Sequence, residues 1–118
     1  MTGRIVAIAI DCRDAESLAG FWCAALHYRI VKRWRDSHDV EYLEARRAGE
    51  PMLLFQPVPD TKRAKNRMHL HVRVTGSQYD EVARLMALGA RLRADDPAEE
   101  WVVLEDPEGN EFCVLPPR

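Results

Sequence analysis

At 118 residues the chain has the length of one ordinary domain, and 47% hydrophobic with 31% charged residues is the balance of a soluble globular protein, not a disordered or membrane-spanning one. Its 17 Lys and Arg nearly match its 19 Asp and Glu, so a formal net charge of -2 supplies no bulk attraction to nucleic acid and leaves a small or neutral partner as the expectation. Three cysteines, Cys12, Cys23 and Cys113, stand at wide spacings that fit neither a secreted disulfide framework nor a paired-cysteine metal motif, and reduced thiols are expected.

The opening MTGRIVAIAIDC carries an apolar run too short for a bilayer span and lacks the basic start and cleavage site of a signal peptide. A cytoplasmic location with no membrane partner is expected. Ile5 to Ile10 is β-rich, and DAESLAGFWCAAL then places Leu18, Phe21, Trp22, Ala25 and Leu26 at helical spacing, with Asp14 as the N-cap. YRIVKRW (28–34), DVEYLEARR (39–47) and PMLLFQPV (51–58) read as strands separated by turns. The segment 58–66, VPDTKRAKN, reads as a linker whose charges form a solvated surface.

RMHLHVRV then opens a second series. TGSQYDEVARLMALGA carries Val82, Leu85, Met86 and Leu88 as an apolar helical stripe ended by Gly89. RLRAD (91–95), EWVVLED (100–106) and NEFCVL (110–115) follow as short strands, the last two joined by the turn-forming DPEGN. The order βαβββ thus occurs twice, over 1–57 and 67–118 within one domain. Leu26 and Leu88 stand 62 positions apart, as do Ile10 and Val72, which is the register expected of a duplication.

DAESLAGFWCAAL followed by HY, KNRMHLHV, ALGA and DPEGNEFCVL resemble, in this order, the glyoxalase-like branch of the vicinal oxygen chelate superfamily, which also holds bleomycin-resistance proteins, glyoxalase I and extradiol dioxygenases. The resemblance spans nearly the whole chain. It implies an α+β fold of two βαβββ modules whose sheets curl into a cup, helices on the convex side and a small-molecule ligand within. It also implies a homodimer.

In metal-dependent members the resemblance implies ligands from the first and last strands of each module. His69 stands in the first strand of the second module, but the position 62 residues earlier is Ala7, which cannot coordinate. The carboxylate expected after DPxGN falls on Cys113, and in PMLLFQPV only Gln56 can serve. The family metal site is therefore read as degraded, and no cofactor is favoured.

Alternation along 67–74 puts Met68, Leu70, Val72 and Val74 on one face, under a helix, and Arg67, His69, His71 and Arg73 on the other. The two imidazoles project about 6.6 Å apart along the strand. If the 110–115 strand pairs beside them, Glu111 and Cys113 share that face, and the four side chains can enclose zinc, nickel or iron. A hydrogen-bonded or solvated pair of histidines on a ligand-lined wall is the preferred reading of the same residues.

Cys113 with His69 also has the makings of a nucleophile and its base, yet a cysteine between Phe112 and Val114 is more often a small core residue. Trp101 either stacks on a ligand or packs in the core. Trp34 and Tyr42 are further lining candidates in the first module. Arg67 and Arg73 suit an anionic group or one of the chain's carboxylates, such as Glu111. The expected function is binding or sequestration of a small organic molecule by His69, His71, Arg67, Trp101, Cys113, Gln56 and Glu111. A lyase or isomerase with a non-standard metal site at His69, His71, Glu111 and Cys113 is the alternative.

Overall fold

The first strand, β1 (Ala7–Cys12), leads directly into a helix, α1 (Ala15–Leu26), whose start is fixed by Asp14: its carboxylate accepts the amide of Ser17 at 3.1 Å. A computed structural model describes residues 2–118, so Met1, the first residue of the expected 1–57 module, lies outside the described residues. The chain forms two compact units, one ending at Thr61 and the other spanning Lys62–Arg118. Each has one helix and a four-stranded sheet.

In the first unit α1 is followed by β2 (Arg29–Arg35), β3 (Glu41–Arg46) and β4 (Met52–Pro57). The sheet order is β1-β4-β3-β2, with β1 parallel to β4 and the other pairs antiparallel. Helix α1 packs on β2, β3 and β4. It buries Leu18, Phe21 and Trp22 together with Ala15, Ala19 and Ala25, and the alanines let the helix backbone approach the sheet. The sheet answers with Leu43, Ala45, Leu53 and Phe55, all buried. Full burial of a Leu or Phe side chain contributes roughly 1.5–3 kcal/mol.

The second unit repeats the plan with β5 (Leu70–Arg73), α2 (Gln78–Leu88), β6 (Arg91–Ala94), β7 (Val102–Glu105) and β8 (Glu111–Leu115). Its order is β5-β8-β7-β6, again with the first and last strands parallel. Val102, Leu104, Phe112 and Val114 are buried, and α2 packs on β8 through its buried Val82 and Leu85. The duplication extends to irregularities. β2 is bulged at Val31 and β6 at Arg93, and the helices end on His27 and Gly89; both pairs are 62 residues apart.

Two side-chain expectations need correction. Met68 is 88% exposed and does not lie under a helix, because it sits in a bend two residues before β5 begins at Leu70 and is not held in the pleat. Met86 and Leu88 are exposed as well, leaving Val82 and Leu85 as the buried part of the α2 stripe. No helix among the described residues is long and apolar enough to cross a membrane.

Candidate functional site

Strand β5 lies parallel to β8 with Leu70 opposite Phe112, His71 opposite Cys113 and Val72 opposite Val114. Side chains alternate, so Phe112 and Val114 go to the buried core face beside Leu70 and Val72, while His71 and Cys113 go to the other. His69 stands just ahead of the strand, and its ring reaches the same two side chains.

The two rings meet. His69 Nε2 and His71 Nε2 are 3.1 Å apart, with centroids 5.0 Å apart and the planes tilted by 42°. As a hydrogen bond this contact needs complementary tautomers, one nitrogen donating and the other accepting. Cys113 stands next to them: one ligand atom from each of His69, His71 and Cys113 lies within 4.8 Å of the other two. The histidines are exposed and the cysteine is buried at 5% exposure. Burial pushes the Cys113 thiol up from its ordinary range, against a smaller downward pull from the charge of Lys65. A neutral buried thiol is a poor nucleophile as it stands.

Glu111 precedes Cys113 by two residues, but it is outside this group. Its carboxylate, buried at 3% exposure, accepts Lys62 Nζ at 3.1 Å and the amide of Asn66 at 3.0 Å, with Arg93 Nη1 at 3.9 Å. Burial alone raises a carboxyl, but hydrogen bonds from the amides of Asn66 and Glu111 itself and from Lys62 outweigh it and hold the group at about 2. Lys62, read from sequence as part of a solvated surface, is thus the partner of a buried charge. Lys62 and Asn66 are 49 and 45 residues from Glu111, and no local pattern marks such pairings.

The turn between β7 and β8 is braced in the same network. Asp106 Oδ1 accepts the amides of Glu108 and Asn110 at 2.9 and 3.0 Å, and its Oδ2 accepts Asn110 Nδ2 at 2.9 Å. Asn66 Nδ2 then donates to Asn110 Oδ1 at 2.9 Å, tying the segment before β5 to this turn. The turn therefore sets where β8 starts, and with it the placement of Cys113.

The remaining candidates are scattered. Arg67 is exposed ahead of β5, and Arg73 donates to the carbonyl of Pro116 at 2.8 Å. Trp101 is exposed just before β7. In the first unit Gln56 lies opposite Asp11, whereas Ala9 and Leu54 are paired where the duplication places His71 and Cys113. The first sheet's equivalent corner is therefore apolar. Its helix-free face does carry an aromatic stack, Trp34 on Tyr42 with centroids 4.3 Å apart and planes within 12°. Trp34 Nε1 donates to Glu44 at 2.7 Å and Tyr42 Oη to Asp36 at 3.2 Å. Neither carboxylate was singled out by sequence, where only the strand register reveals them.

A family model described as a glyoxalase-like domain matches residues 7–115. No curated protein matches the sequence significantly. Among solved structures, the fosfomycin resistance protein FosX from Listeria monocytogenes, complexed with manganese(II) and a sulfate ion, is 14% identical with a TM-score of 0.78, covering 100% of this chain and 95% of its own. A glyoxalase/bleomycin resistance protein/dioxygenase family enzyme from Burkholderia phytofirmans PsJN is 18% identical with a TM-score of 0.73, covering 97% and 98%. Leishmania major glyoxalase I is 14% identical with a TM-score of 0.70, covering 98% and 87%. At these identities the likeness is one of fold.

Proposed function

Because the chain belongs to the glyoxalase-like domain family, we propose that it binds a small organic molecule against the helix-free face of its second sheet, with His69, His71 and Cys113 as the contact wall. The observation that carries this reading is the placement of two solvent-reachable imidazoles and a thiol on one face while the intervening side chains are half-buried or buried in the core. Imidazole nitrogens offer both donor and acceptor, and Arg67 and Trp101 lie near the ends of the same sheet's strands, where they suit an anionic group and an aromatic face.

The metal arrangement implied by the family is degraded in this reading, since Ala7, Ala9 and Leu54 occupy the first unit's counterpart positions. Fragment screening by NMR with small carboxylates, phosphonates and heteroaromatic compounds tests the proposal. Hits are expected to move the imidazole proton signals of His69 and His71. A protein that binds nothing, or hits that leave both rings unmoved, rules the site out.

The competing reading is a lyase or isomerase with a non-standard metal site at His69, His71, Glu111 and Cys113. The close approach of the first three favours it; the engagement of Glu111 by Lys62 and Asn66 counts against a four-ligand version. Mass spectrometry of hits after long incubation separates the two, because a binding protein returns its ligands unchanged. A cytoplasmic homodimer completes the proposal, supported by three free cysteines and by the exposed apolar side chains of Ile5, Val6 and Met68.

A further inference from the structure

We propose that His69, His71 and Cys113 form a three-ligand site, built within the second unit alone, for a thiophilic divalent cation, with zinc held in preference to manganese. The geometry fits closely. A tetrahedral zinc ion with Zn–N ~2.0–2.1 Å and Zn–S ~2.3 Å holds two nitrogens about 3.3 Å apart and each nitrogen about 3.6 Å from sulfur. The two Nε2 atoms are already 3.1 Å apart, and all three ligand atoms lie within 4.8 Å, so closure of about an ångström at the sulfur completes the set.

Strand pairing holds the ligands in place. Parallel pairing sets His71 directly opposite Cys113, and His69, just ahead of β5, brings its Nε2 to within 3.1 Å of that of His71. Cys113 is held rigidly in the buried strand β8, whereas the histidines are exposed, so the fourth coordination position opens toward solvent on the imidazole side. Three protein ligands with one open position leave room for water or a ligand atom.

The donor chemistry decides which ion. Two imidazoles and a thiolate are a borderline-to-soft set that suits zinc and cobalt, while manganese prefers carboxylate and water oxygens. The one nearby carboxylate, Glu111, is engaged by Lys62 and Asn66. Binding replaces the thiol proton of Cys113 by the metal and releases that proton to solvent, with no change of oxidation state. The site does not depend on the ligand-binding reading: an organic ligand can fail to bind while the ion still does.

Titration of chelator-treated full-length protein with cobalt(II) tests this. One equivalent is expected to produce a thiolate-to-cobalt charge-transfer band in the near ultraviolet, removed by stoichiometric zinc(II) and left unchanged by the same concentration of manganese(II). Cys113→Ser abolishes the band, and His71→Gln, on an exposed ring where misfolding is not at issue, weakens cobalt binding by at least about tenfold. Cys23→Ser leaves the band intact. Absence of the band in the parent, its loss in Cys23→Ser, unchanged affinity in His71→Gln, or displacement by manganese as effective as by zinc overturns the proposal.

Discussion

Glu111 shows how far one side chain's environment reaches. Its carboxyl is held at about 2 against an ordinary 4.5. The folded state therefore binds this proton more weakly than the unfolded chain, and the ionised form stabilises the fold fully above about pH 4.5. That contribution is lost as pH falls from about 4.5 toward 2. In urea unfolding followed across this window, the parent is expected to lose stability more steeply than Glu111→Gln, although the variant is weaker at pH 7. Lys62→Met leaves the buried carboxylate with the amide of Asn66 and a more distant Arg93, and a loss of about 1–3 kcal/mol is expected in unfolding at pH 7. That His71 and Cys113 share a face was legible from alternation. The partners that take Glu111 out of the group were not, because they arrive from the segment before β5.

The secondary elements carry their own stop signals, and the two helices stop differently. α1 ends on His27 at φ 59°, a left-handed backbone that costs a side chain with a Cβ, whereas α2 ends on Gly89 at φ 126°. His27→Gly is expected to raise the unfolding free energy by about 0.5–1 kcal/mol. Gly89→Ala is expected to lower it by about 1 kcal/mol or more, since its new Cβ also meets Pro107 Cγ at 3.4 Å. Thermal melts of both variants check the opposite signs.

The turn before β8 is a second element-scale device. Asp106 is fully buried at 0% exposure and accepts from two amides and one side-chain amide. Asp106→Ala strands these donors and is expected to cost about 2–4 kcal/mol, readable as a lowered denaturant midpoint. The DPEGN pattern announced the turn, and Asp14 announced the start of α1. The bulges at Val31 and Arg93 had no such mark, because an extra residue in a strand is recognised only against its partner strand.

At the scale of the molecule, each unit has its own buried set, Leu43, Leu53 and Phe55 in one and Leu104, Phe112 and Val114 in the other. Each is built by one helix on one sheet of the same strand order. The proposed homodimer predicts twice the chain mass in sedimentation equilibrium at micromolar concentration. A single-chain mass there removes the dimer while leaving the sheet-face site standing.

The sequence by itself determined the duplicated βαβββ order, the helix ends at Asp14 and Gly89, and the common face of His71 and Cys113. These follow from short-range periodicity and turn chemistry, which each residue carries with it. Only the tertiary structure decided that the two imidazoles touch, that Cys113 completes their group, and that Glu111 is spent on Lys62 and Asn66. Such pairings depend on strand register and on segments distant along the chain, and the energy of bringing them together is not written in any local window.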